Sequence, residues 1–287
     1  MLSIKCDTME VKSNLRLKKD ELPKGIEAFY SCDNNDLWRY KVNLGKMEVA
    51  TISQALDNVR EVFAAAQTLK AVRVDLKFDD DKTPYHEKYK LHRLLLSLAA
   101  IKYNIQNIYM DTDFITGELI SVKSDTATRE AQYYNKERQK RGSGSELATI
   151  GRFEVRSKKL SINLFEPQDG LAVSLIEKWL EYYHKAATPK TFTTLKARLN
   201  ETIVSKYDGS PITAYIARYK NDMIYDRAQI KELFSQLGQI KNGNDKSADV
   251  QTSKFLRKYK DFEVIDLDRI KRYLDELKDI VANATEI

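Results

Sequence analysis

The chain has 287 residues, 42% of them hydrophobic and 31% charged, and carries 48 Lys and Arg against 42 Asp and Glu for a net charge of +6. That balance fits a folded protein of one or two domains and excludes a wholly disordered one. The longest apolar run, residues 94–101, is too short to span a bilayer, no apolar leader follows a basic start, and Cys6 and Cys32 cannot build a disulfide framework, so a reducing, cytoplasmic setting with no membrane partner is expected.

Residues 37–44, LWRYKVNL, set Trp38, Tyr40, Val42 and Leu44 on one side and predict a half-buried strand. In residues 51–70, Ile52, Leu56, Val59, Phe63, Ala66 and Leu69 recur at helical spacing behind a Thr or Ser suited to an N-cap, which predicts a helix. Residues 71–78, AVRVDLKF, alternate again and put Arg73, Asp75 and Lys77 on the polar face. A second helix is expected over 85–104, short strands around 107–110 and 117–123, and two more strands at 129–137 and 152–158 flanking the loop KRGSGSELAT. After Glu166-Pro-Gln-Asp-Gly170 the sequence turns to the long amphipathic stretches LAVSLIEKWLEYYHKA, TLKARLNETIVSKY, AQIKELFSQLGQI and DLDRIKRYLDELKDIVANA, with 241–248 as a flexible connector. The expected class is α+β, with a mainly antiparallel sheet flanked by helices over 1–168 and an all-helical domain over 169–287.

Charge is concentrated. Residues 129–159 hold nine Lys and Arg against four acids, with Tyr133, Tyr134 and Phe153 among them. A basic cluster interleaved with aromatics is the footprint of a nucleic-acid partner, and Arg129, Arg138, Arg152, Arg156 and Lys158 are the expected phosphate contacts. Residues 186–220 carry six basic side chains against two acids, so Lys190, Lys196 and Arg198 are expected to hold duplex DNA.

The sequence contains no phosphate-binding glycine loop and no HExxH, GxSxG or CxxC motif, and His86, His92 and His184 are too scattered for a metal cluster. Strand alternation is more informative. If the strands at 71–78, 129–137 and 152–158 are neighbours, one sheet face carries Asp75, Glu154, Tyr134 and Lys136, ringed by arginines. Two carboxylates suit Mg²⁺ or Mn²⁺, and a tyrosine beside them can attack a phosphodiester. The same acids also fit plain ion pairs with Arg73 and Arg156, and the tyrosine also fits a structural role.

The ordered motifs Arg73-Val74-Asp75, Tyr134 to Gln139 (YNKERQ) and Arg152 to Arg156 (RFEVR) resemble the catalytic core of rolling-circle replication initiators, nearest to the Rep_trans plasmid and filamentous-phage branches. The resemblance covers roughly residues 70–165, with a helical region following as in the family. It implies a nicking and rejoining enzyme in which a tyrosine attacks a DNA phosphate, leaving a free 3′-OH and a 5′-phosphotyrosine. Carried over, Tyr134 matches the nucleophile, Lys136 the lysine after it, and Asp75 and Glu154 the acids that hold Mg²⁺ or Mn²⁺. Tyr133 stands next to Tyr134, and alternation together with the Y-x-K match favours Tyr134. The His-hydrophobic-His motif of the wider superfamily is absent, and Gln139 stands where a Glu is often found. The implied partners are origin DNA with its single-stranded nick site, a host helicase and a second copy of the chain. A conjugative relaxase of the same chemistry and a non-catalytic DNA-binding regulator are the alternatives.

Overall fold

The alternation at 71–78 belongs to a longer strand at the centre of one sheet. The computed structural model describes residues 3–32, 36–49, 51–80, 85–105, 107–112, 119–125, 128–135, 151–221, 223–243 and 247–286. In chain order the first part comprises β1 (Ser3–Ser13), β2 (Ile26–Cys32), β3 (Trp38–Asn43), α1 (Ile52–Val62), β4 (Leu69–Asp80) and α2 (Tyr85–Tyr103). It continues with β5 (Asn107–Thr112), β6 (Leu119–Asp125), β7 (Arg129–Asn135) and β8 (Gly151–Asn163). The helices α3 (Leu171–Ala186), α4 (Pro189–Ser205), α5 (Ile212–Ala217), α6 (Arg227–Asn242), α7 (Ala248–Lys258) and α8 (Leu267–Ala282) follow, then β9 (Thr285–Glu286). The strands lie in the order β2-β3-β1-β4-β8-β7-β6-β5 with antiparallel neighbours, and β9 pairs parallel to β1. The class is α+β, as the alternating and helical patterns indicate.

Two local features explain where sequence and structure part. Strand β1 is not expected from alternation because its register slips between Cys6 and Thr8. Ile4 and Cys6 face the core, and beyond the bulge Met9 and Val11 do, so the apolar period breaks midway. Helix α1 begins where expected, with Thr51 accepting from the Gln54 amide at 3.2 Å, but stops at Val62 rather than running to 70. Its alanines could continue a helix. Instead the Asn14 side-chain oxygen accepts from the amides of Gln67 and Thr68 at 3.0 and 2.9 Å, and turns the chain into β4.

The chain divides into two compact units. The first holds residues 1–89, 105–182 and 276–287. Its core lies on one face of the sheet, where Val74, Leu76, Phe78, Ala131, Tyr133, Phe153 and Val155 are buried. Phe63, just past α1, packs its ring 4.8 Å from that of Tyr40, and Trp179 of α3 donates to the Ser157 hydroxyl at 3.2 Å. The second unit holds residues 90–104 and 183–275. Ile203, Tyr215, Ile216, Ile230, Leu233, Phe234 and Phe255 form its centre. His92 is buried there, with its Nε2 2.7 Å from the Tyr273 hydroxyl. Among the described residues no helix is long and apolar enough to cross a membrane.

Candidate active site

The face of the sheet opposite the core is built in rows. Across β4, β8 and β7 the register sets Asp79, Arg152 and Tyr134 in one row, Lys77, Glu154 and Gln132 in the next, and Asp75, Arg156 and Glu130 in the third. Every second residue of a strand faces the same way, so all nine share one face. On β4 and β8 the charges alternate along and across the strands, like a checkerboard. On this face each carboxylate of β4 and β8 therefore faces a basic side chain across the strand pair.

The contacts follow that pattern. Asp79 accepts from Arg152 Nε and Nη2 at 2.6 and 3.0 Å. Asp75 accepts from Arg73 Nε and Nη2 at 2.9 and 2.7 Å and pairs with Arg156 Nε at 2.9 Å. Glu130 holds Arg156 Nη1 at 2.8 Å and Lys158 at 3.0 Å. Glu10 of β1 extends the lattice to Arg73 at 2.8 Å and Arg39 at 2.6 Å. Asp75, Glu10 and Glu130 are buried beneath half-buried arginines. Buried carboxylates persist only when paired in this way, because an isolated one would lose its hydration uncompensated.

Tyr134 sits at the edge of the lattice and is only 4% exposed. Its hydroxyl donates to Glu154 Oε2 at 3.1 Å, and Arg152 stands beside it across the strand pair. Burial, reinforced by the negative charge of Glu154 and opposed by Arg152, pushes the phenol up to about 12. Burial likewise raises Glu154 above the ordinary carboxylate range, against the pull of the Tyr134 hydrogen bond and Arg156. These shifts define the chemistry available. A free tyrosine costs roughly 4 kcal/mol to ionise at neutral pH, and one near 12 costs about 7. The site therefore holds a neutral phenol pointed at a carboxylate that is a stronger base than a solvated glutamate. Such a pair can move a proton from Oη to Oε2 as the oxygen attacks.

Alternation and register thus bring Tyr134, Glu154 and Asp75 to one face, and they put Tyr133 on the other. Tyr133 is buried, and its hydroxyl lies so close to Gly151 that a Cβ there would collide with it. Lys136 and Arg138 lie outside the described residues. Arg129 does not sit beside Tyr134: it shares the core-side alternation of Ala131 and Tyr133, and its guanidinium stacks 4.6 Å from the Tyr182 ring centroid. Arg152, Arg156 and Lys158 do lie on the site face, but each is engaged by a carboxylate. In the helical unit Lys190 and Arg198 are exposed on α4, while Lys196 pairs with Asp226 at 2.6 Å.

The acids expected to hold Mg²⁺ or Mn²⁺ do not fit a divalent cation as they are arranged. Both Asp75 oxygens are engaged by Arg73, one also by Arg156, and Glu154 accepts from Tyr134. An ion would have to displace two guanidinium groups from Asp75. Among the described residues no three His, Cys, Asp or Glu side chains are placed to share a metal. Sequence reasoning missed Asp79, Glu130 and Glu10. Asp79 follows the alternation of Asp75 and Lys77, but only the register reveals that it clamps the arginine beside Tyr134.

No family model matches the chain, and no curated protein matches it. Among solved structures it is similar to a rolling circle replication initiator protein from Geobacillus stearothermophilus, with 14% identity and a TM-score of 0.37 over 61% of this chain and 78% of that one.

Proposed function

We propose that this chain cuts and rejoins single-stranded DNA as an initiator of rolling-circle replication, with Tyr134 as nucleophile. The observation that carries the reading is the 3.1 Å hydrogen bond from the Tyr134 hydroxyl to Glu154 on an arginine-rich sheet face. The ordered motifs around Asp75, Tyr134 and Glu154 support it independently. In the proposed step Tyr134 Oη attacks the phosphorus of a phosphodiester as its proton passes to Glu154 Oε2. The bond from phosphorus to the 3′ oxygen breaks, that oxygen takes a proton from water, and the 5′ phosphate stays on the tyrosine. Arg152, held by Asp79, stabilises charge on the attacking and non-bridging oxygens. Rejoining is the reverse: the 3′-OH attacks the phosphotyrosine and Glu154 returns the proton. The phosphodiester energy is kept in the covalent link, so no nucleotide is consumed.

A second reading, a DNA-binding protein that does not cleave, is favoured by the 4% exposure of Tyr134, since a phosphate reaches it only if the side chains over it move. One experiment separates the two. The protein is incubated with a randomised pool of single-stranded oligonucleotides, and complexes that survive detergent are analysed by mass spectrometry. The expected result is a phosphotyrosyl adduct at residue 134 that is absent from Tyr134→Phe. No adduct, or one that persists in that variant, overturns the cleavage reading.

A further inference from the structure

Basic side chains of the helical unit differ in what they meet: Lys190, Arg198 and Lys206 are exposed along α4 and at its end, and four others are held by acids. Lys196 is neutralised by Asp226, Arg218 by Asp208 and Lys231 by Asp249, at 2.6, 2.7 and 2.8 Å, and Lys220 pairs with Asp261. The outer side of α7 differs. Residues 250–260 contain Lys254, Arg257, Lys258 and Lys260 and no acid. All four are exposed, and among the described residues no carboxylate pairs with them. Lys254, Arg257 and Lys258 stand at i, i+3 and i+4, which places them on one helix face. The opposite face is anchored by Phe255, fully buried against the rings of Phe234, Tyr259 and Phe262, and by buried Thr252. The ridge is therefore outward-facing, anchored on its opposite face, and among the described residues not paired with a carboxylate.

We infer that this face of α7 is a duplex-DNA docking surface, with Lys254, Arg257 and Lys258 on backbone phosphates. The inference rests on the DNA reading of the sheet site and adds where double-stranded DNA is held, which charge counts over 186–220 place elsewhere. Two features favour a duplex over an anionic membrane. Val250 is the one exposed large hydrophobic on the helix, so α7 has no apolar stripe to bury in a bilayer. Helix α7 follows α6 after five residues that open with Gly243 in the left-handed conformation, φ 69°, so it is the second helix of a tightly joined pair. The second helix is the one such pairs insert in a major groove, whose width of about 12 Å admits an α-helix.

The test measures binding of the full-length protein to a labelled 20-base-pair duplex over a range of salt concentrations. Replacing Lys254, Arg257 and Lys258 together by Gln should lower the slope of log affinity against log salt by about 2–3 and weaken binding on the order of 100-fold at 0.1 M salt. If the triple variant fails to fold, each single Gln variant should lower the slope by about 0.9. Unchanged slopes overturn the inference, as does the loss appearing instead in a Lys190, Arg198 and Lys206 triple. Tighter binding to phosphatidylserine vesicles than to the duplex, lost in the α7 variant, overturns the choice of partner. Wild-type protein that binds duplex through α7 but forms no Tyr134 adduct overturns the cleavage reading and leaves this one standing.

Discussion

On the sheet face, Arg73, Arg152, Arg156 and Lys158 each meet a carboxylate within 3.0 Å, whereas on α7 Lys254, Arg257 and Lys258 meet none among the described residues. The two regions look alike in a count of charges along the chain. They differ because β4 and β1 bring Asp75, Asp79 and Glu10 across to the arginines, while among the described residues no carboxylate is brought to Lys254, Arg257 or Lys258. On the sheet every one of these cations is engaged by an acid, whereas on α7 Lys254, Arg257 and Lys258 are not, among the described residues.

The comparison breaks first at the base. If Glu154 takes the proton of Tyr134, Glu154→Gln should slow adduct formation by about 10²–10⁴-fold. It should also remove the acid limb of the pH–rate profile. In the wild type that limb should fall at a pH above the 4.5 of an ordinary glutamate, because a protonated acid cannot accept the phenolic proton and Glu154 holds its proton more tightly than usual. An unchanged acid limb in Glu154→Gln, read from single-turnover rates against pH, would remove Glu154 from that role.

Stability sharpens the contrast next. Asp75→Asn leaves Arg73 and Arg156 facing a neutral amide and should cost about 3 kcal/mol in urea denaturation, at the low end for a broken buried pair because both arginines touch solvent. Neutralising Lys254 on α7 should leave the urea midpoint where it was. Because Asp75 is engaged by arginines, the wild-type midpoint should be the same in excess chelator as with added Mg²⁺ or Mn²⁺. A midpoint that rises with either ion, and no longer does so in Asp75→Asn, would identify the acids as a metal site after all.

A smaller effect lies at alkaline pH. Folding raises Tyr134 to about 12 from the 10 of a free phenol, so its contribution to stability is complete below pH 10 and is lost as pH rises through 12. That loss amounts to at most about 2.7 kcal/mol between the two limits. Tyr134→Phe should therefore lose less stability than the wild type between pH 10 and 12, measured as a difference in urea midpoints. Equal losses would place Tyr134 in solvent.

How much of this was legible in the sequence depends on the range of the interaction. Alternation at 71–78, 129–137 and 152–158 is a local property. Given that those strands are neighbours, it puts Asp75, Glu154 and Tyr134 on a common face, and together with the Y-x-K match it favours Tyr134 over Tyr133. The N-cap at Thr51 was legible for the same reason. Pairing was not. That Arg156 lies opposite Asp75, or that Asp79 clamps Arg152, depends on the register between β4 and β8, where the partners Asp79 and Arg152 are 73 residues apart, which no local pattern encodes. Strand β1 was hidden by its bulge. Helix α7 was hidden by composition, since Val250, Phe255 and Leu256 are the only large apolar residues among its eleven, and the connector expected to end at 248 runs straight into it.

The contact between Gly151 and the Tyr133 hydroxyl makes the sheet a lever. Tyr133 and Tyr134 are consecutive, so the backbone that seats one ring on the core side aims the other on the charged side. A methyl group at residue 151 would push against the Tyr133 ring from a position facing away from Glu154, Arg152 and any DNA strand. The displacement would pass through a single peptide unit and appear as misalignment of Oη from its base, where small shifts in a reacting atom carry large penalties in rate. The aim of the Tyr134 hydroxyl toward Glu154 is thus set from behind, by the absence of a side chain at the first residue of β8.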